Sequence, residues 1–135
     1  MKLQSLIGAK RVEFDPVNKF HSVYEIRNQT EVPLFPSVVN IDFIAKLLLD
    51  SEERMELELM VFDPDGTRSH VQHIGEVTNR RLKEMEPGVD FNFNVRFPVV
   101  AAGTYWIAVY GMGERLGDYP LYIQQKPSAE ASALS

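Results

Sequence analysis

From Val89 to Phe97 apolar and polar residues alternate without a slip. Val89, Phe91, Phe93, Val95 and Phe97 are apolar, and Asp90, Asn92, Asn94 and Arg96 separate them. Successive strand side chains point to opposite faces, so this pattern predicts a strand with one dry face and one wet face. Pro98 and Gly103 punctuate the chain before a second strand, Thr104–Tyr110, rich in aromatic and β-branched residues. The same period recurs upstream. Val39, Ile41, Phe43, Ala45, Leu47 and Leu49 form the dry face of one long strand, and Met55, Leu57, Leu59 and Val61 that of the next. Pairing these two as a hairpin sets Lys46 opposite Glu56 or Glu58, an opposite-charge cross-strand pair.

Weaker patterns flank these strands. Residues 3–14 read as a first strand of imperfect register, because Lys10 shares the face of Val12 and Phe14; a bulge or a break near Gly8 would repair it. Asp15–Lys19 is a turn. Phe20, Tyr24 and Ile26 then alternate with His21, Glu25 and Arg27, completing a hairpin. Asn28–Pro36 reads as a loop, since Pro33 and Pro36 cannot donate to a ladder. Leu34 and Phe35 within it are apolar enough to tuck under one end of the core. Asp63-Pro64-Asp65-Gly66 is a tight turn and Thr67–Ile74 an edge strand. Arg80–Met85 is read as a short strand in preference to a helical turn. Gly111–Asp118 is a flexible hairpin loop, and Leu121 and Ile123 mark a last strand.

About seven to eight strands with short turns between them predict an all-β, antiparallel β-sandwich of immunoglobulin-like type, with a closed barrel as the alternative. Pro98 followed by Gly103-Thr104-Tyr105 is similar to the corner before a late strand of such folds, where a tyrosine hydroxyl caps nearby backbone. Residues 1–126 form one β-sandwich domain, and the small-residue segment 127–135 is expected to be a disordered tail.

Composition narrows the function classes. A chain of 135 residues can bury roughly two-thirds of its surface, so it needs no covalent staple. It has no cysteine, which excludes disulfides, thiolate metal sites and a thiol nucleophile. The net charge of −5 disfavours a broad nucleic-acid surface, which needs clustered Lys and Arg. The first residues are too polar for a signal peptide and no apolar run is long enough to span a bilayer, so the expectation is a cytoplasmic protein with no membrane and no nucleic-acid partner.

Candidate chemistry is sparse. His70 and His73 are three apart, which on a strand puts them on opposite faces and not on one metal. His21 stands alone on a wet face. Asp63-Pro64-Asp65-Gly66 opens like a calcium loop, but the twelfth position is Ile74 where that loop needs glutamate. Gly111-Met112-Gly113 with Gly117 lacks the helix that a phosphate loop requires. Glu52, Glu53, Glu56 and Glu58 belong to a hairpin tip and a solvent face, not to a cleft that would set two carboxylates apart in pKa. No Gly-x-Ser-x-Gly elbow occurs. Neither a catalytic residue, a cofactor site nor a metal site is expected, and the protein is read as not an enzyme.

One feature exceeds an ordinary wet face. Ile44, Leu48, Met60, Phe62, Trp106 and Tyr110 occupy the even positions opposite the core. If their strands are neighbours, these residues form an outer aromatic patch of interface composition, unless Arg80–Met85 or a loop covers it.

Pro33-Leu34-Phe35-Pro36, Val39–Leu49, Asp63-Pro64-Asp65-Gly66 and Pro98–Ile107, taken in that order, resemble a family of small uncharacterised bacterial β-sandwich proteins, a domain of unknown function. The resemblance covers most of residues 3–125, rests on turn and core signatures, and implies no activity or site. The function expected is therefore a small interaction module, binding a protein partner or itself as a homo-oligomer. A structural or assembly subunit, as in a phage-like particle, is the alternative, and an enzyme with an unrecognised site ranks third.

Overall fold

The structure, a computed structural model, describes residues 1–127. Its strands are β1 (Lys2–Asp15), β2 (Phe20–Ile26), β3 (Gln29–Val32), β4 (Ser37–Leu48), β5 (Arg54–Phe62), β6 (Arg68–Thr78), β7 (Gly88–Val99), β8 (Gly103–Gly111) and β9 (Glu114–Gln125). They build two sheets, a first of order β2-β1-β4-β7 and a second of order β3-β9-β8-β5-β6, one of them curled into a half-barrel. No helix forms among the described residues, so none is long and apolar enough to cross a membrane. The expected tail, apart from Pro127, lies outside the described residues.

The alternating segments bury the faces their pattern implies. Every predicted dry-face residue from Val39 to Leu49 and from Met55 to Val61 is buried. The main core joins both sheets: Phe43, Val95 and Phe97 of the first meet Leu59, Tyr105, Ile107 and Leu121 of the second. Each such side chain contributes about 1.5–3 kcal/mol by leaving water. Although Val95, Phe97 and Val99 on the same face of β7 are buried, Phe91 and Phe93 are only half-buried. They stack on each other at 5.8 Å, and Phe93 on Phe43 at 5.6 Å.

The β4–β5 hairpin does not exist. β4 pairs with β1 and β7, whereas β5 pairs with β6 and β8, so the chain crosses between sheets at Leu49–Glu53. Lys46 instead meets Asp90 at 3.7 Å, and Glu56 meets His73 at 3.4 Å. The reason is that a strand with one dry face alternates identically whether its successor pairs beside it or packs across the core from it.

Three further expectations are corrected. Part of the proline-flanked loop is β3, which runs parallel to β9 from Gln29↔Tyr122 to Val32↔Gln125, so the sheets are not wholly antiparallel and the strands among the described residues number nine. Within the same stretch Phe35 packs on the main core while Leu34 stays exposed. Arg80–Met85 is neither strand nor helix. The Asn79 Oδ1 accepts from the Arg81 and Gly88 amides at 3.1 and 2.9 Å, and this local pairing displaces a ladder. The expected loop at Gly111–Asp118 shrinks to a tip of Met112 (φ 51°) and Gly113 (φ 79°), after which β9 begins. Two successive positive φ values match the twist of the flanking strands. Gly117, inside β9, gives room to a neighbour: a Cβ there would lie 2.7 Å from the movable Leu3 Cδ2.

β1 changes partner midway. Lys2–Ala9 pairs with β4 and Ala9–Asp15 pairs with β2, so the ladder breaks beside Gly8, while the register irregularity itself falls at Leu3/Ser5. Beyond Ala9 the β1–β2 arm lies over the outer face of β4: the Val12 amide donates to Asp42 Oδ2 at 3.0 Å and Val12 packs on Ile44. The imperfect apolar phase of β1 records this exchange of partners. At the opposite end of the core, Tyr105 is fully buried. Its hydroxyl donates to the Ala101 carbonyl at 2.9 Å and accepts from the Val100 and Ala101 amides at 3.2 and 3.4 Å.

Candidate interaction face

The structure separates the six outer-face candidates. Met60 and Phe62 on β5 and Trp106 and Tyr110 on β8 share the outer face of the second sheet. Ile44 and Leu48 sit on β4 in the first sheet and cannot contribute to that face. Ile44 is moreover buried beneath the arm, against Ile7, Ala9 and Val12. Leu48 is half-buried opposite Gly88. The Arg80–Met85 loop precedes β7 of the first sheet and forms no part of the second.

Register assembles the face. Phe62 stands opposite Trp106, and Trp106 opposite Pro120; Val71 stands opposite Met60, and Tyr122 opposite Thr104. The centre is therefore Phe62, Trp106 and Pro120, with Trp106 40% exposed although its strand neighbours Tyr105 and Ile107 are fully buried. Val71 and Tyr122 extend the apolar area and are exposed as well. Neither was recoverable from local pattern beyond a place on an even or edge position, because their nearness to Trp106 depends on the order of β6, β5, β8 and β9.

Charged groups flank this centre. The Arg115 guanidinium lies 5.5 Å from the Phe62 ring centroid and bridges Asp118 at 2.7 Å. Arg115, Asp118, Phe62, Trp106 and Gly66 line a shallow depression. Farther along the sheet Arg54 meets Glu76 and His73 meets Glu56, both at 3.4 Å. An apolar, aromatic middle inside a charged border is the composition of a protein interface. Arg over an aromatic face adds an anchor that is preorganised at modest cost.

A second surface was not anticipated. Phe14, Phe20 and Lys19 on the arm and Arg80, Leu82 and Met85 on the loop between β6 and β7 line a groove of about 650 Å³. The Arg81 guanidinium donates to Asp90 at 2.9 Å on its wall, so part of its charge is already compensated. Residues so far apart in sequence meet only because the arm curls over the sheet.

The other candidates have local explanations. His70 lies 3.3 Å from the Gln72 side chain, and no cluster of three or more potential metal ligands occurs among the described residues. Asp63 Oδ1 accepts from the Asp65 and Thr67 amides at 3.2 and 2.9 Å, closing its turn. Asp65 is held below the usual carboxylate range by its side-chain hydrogen bond with Thr67 first, then by Asp63 and the Thr67 amide. Asp15 is lowered in the same way by the Asn18 side chain, then by the Asn18 and Val17 amides. Burial pushes the Tyr119 phenol up, against the opposing effect of its contact with the Gly8 backbone. Its hydroxyl donates to the Arg27 carbonyl, and its ring meets Phe43 edge-on at 5.4 Å, so it clasps the two sheets.

No family model matches the chain, and no curated protein matches it. Among solved structures it is similar over 88% of its length to the alkylpurine DNA glycosylase AlkC of Pseudomonas fluorescens bound to DNA containing an abasic site analog, at 10% identity and a TM-score of 0.41. The chain spans 30% of that structure's length. A likeness at that level assigns neither fold family nor function.

Proposed function

We propose that this protein is a non-enzymatic interaction module on an immunoglobulin-like sandwich, and that it associates through the outer face centred on Trp106. The observation that carries the proposal is the exposure of Trp106 at 40% between Phe62 and Pro120, inside a charged border. An aromatic anchor so placed is the side chain from which binding energy at interfaces usually comes. The occupant is a protein surface, either a second copy or another chain. The resemblance to small bacterial β-sandwich proteins is kept as part of this proposal, supported by the Asp63–Gly66 turn and the Tyr105 corner.

Trp106 is the only tryptophan, so its emission reports on this face alone. Sedimentation of the wild type at rising concentration is expected to show mass above the monomer, with the emission moving to the blue. Trp106→Ala is expected to cost about 2 kcal/mol or more of association and little of folding. A lowered denaturant midpoint with unchanged mass would show that the side chain serves the fold instead. A wild type that stays monomeric at high concentration removes self-association and leaves only another chain as partner.

A further inference from the structure

We infer that the free edge of β2 is a self-recognition site, at which a second copy of this chain adds antiparallel to the segment Phe20–Tyr24. This site lies on the first sheet and is independent of the Trp106 face. β2 has one ladder partner, β1, and its other edge has none among the described residues. An edge strand that presents unpaired amides and carbonyls is a template for another strand unless charge, proline, a bulge or brevity guards it. Phe20-His21-Ser22-Val23-Tyr24 carries no Lys, Arg, Asp, Glu or Pro. Phe20 is 71% exposed, and Val23 and Tyr24 are exposed too.

The other strands that end a sheet are guarded. β6 and β7 lie against each other, with the Gln72 amide donating to the Asn94 carbonyl at 2.7 Å. β3 is short and runs directly into Pro33.

The backbone also selects a register. Glu25 has φ 54°, outside the extended region, so a regular ladder on β2 stops at Tyr24. A two-fold axis at Ser22 uses only the extended residues. It sets Phe20 opposite the partner's Tyr24 on one face, twice by symmetry, and His21 opposite the partner's Val23 on the other. Aromatic cross-strand pairs of this kind are favourable, and no like charges meet. An axis at Val23 would draw Glu25 into the ladder. A contact of this length buries little beside the roughly 1,000 Å² of a stable interface, so the dimer is weak and concentration-dependent.

The absence of cysteine makes the test direct. Ser22 is exposed, so Ser22→Cys leaves the fold intact. Across the proposed axis the two introduced thiols face each other at a Cα separation of about 4.5–5.5 Å, within disulfide reach. Ile26→Cys is the control, since in this register the two copies of that position lie roughly 25 Å apart. Under mild oxidation Ser22→Cys is expected to form covalent dimer at least tenfold faster than Ile26→Cys, and faster than Val23→Cys. The Trp106→Ala substitution added to Ser22→Cys should leave that rate unchanged, which separates this site from the outer face. Ser22→Lys, which sets like charges across the axis, should abolish the residual dimer that sedimentation detects in Trp106→Ala. Dimer from Ser22→Cys no faster than from Ile26→Cys overturns the site, and faster reaction of Val23→Cys overturns the register.

Discussion

Tyr105→Phe removes one oxygen and leaves the rest of the core in place. The ring of Tyr105 is fully buried and sits 5.8 Å from that of Phe97, and phenylalanine keeps both the volume and that contact. What is lost is the hydroxyl that donates to the Ala101 carbonyl at 2.9 Å and accepts from the Val100 and Ala101 amides at 3.2 and 3.4 Å. The first is a good hydrogen bond and contributes about 1 kcal/mol net. The other two are long, and Val100 and Ala101 are themselves exposed, so water can recover part of their hydrogen bonding. The expected total is about 1–2.5 kcal/mol. With a urea m-value of about 2 kcal/mol/M, the midpoint should fall by roughly 0.5–1.2 M with the slope unchanged. Tyr105→Ala, which also empties the ring's volume, should cost about 3–5 kcal/mol. An unchanged midpoint for Tyr105→Phe, or one as low as that of Tyr105→Ala, would refute the assignment of the corner to the hydroxyl.

Two other outcomes are open to measurement. Gly8→Ala should destabilise more than Gly117→Ala in the same melts, with overpacking costs of about 1–3 kcal/mol. At Gly8 a Cβ meets Ile41, Tyr119 and Phe43 at 2.9, 3.0 and 3.1 Å, whereas at Gly117 the close contact is the single movable end of Leu3 at 2.7 Å. The reverse ranking would show that the sheets yield at the Tyr119 clasp. For Tyr119 the folded pKa is raised from 10.0 by burial. Its stabilisation is therefore fully present below the unfolded value and is lost as pH rises through the folded one. Above about pH 10 urea midpoints should fall less steeply for Tyr119→Phe than for the wild type, and equal slopes there would contradict the burial effect.

Legibility along the chain followed the range of the interactions involved. The dry faces of β4 and β5, the Asp63–Gly66 turn and the Asp15–Lys19 turn follow from period and from short-range hydrogen bonds, and all four fold as local chemistry implies. The capping by Tyr105 was foreseeable for the same reason, since it reaches only four or five residues back. Of the six outer-face residues, the even position of each was legible, but their division between two sheets was not. Arg80–Met85 departs from the expected strand because Asn79 offers the backbone a side-chain partner that no periodicity shows.

The sequence by itself therefore determined which residues leave water: an alternating strand has one face that must be buried, wherever its neighbours are. Tertiary structure alone decided what lies beside what. It sent β4 and β5 to different sheets, ran β3 parallel to β9, carried the arm over Ile44, and gathered Phe62, Trp106, Pro120 and Tyr122 on one face. The reason is that burial is almost indifferent to the identity of the apolar neighbour. Strand order, by contrast, is selected by the packing of the whole chain, through contacts such as Leu3 on Gly117 and Tyr119 on Gly8 that join residues more than a hundred positions apart.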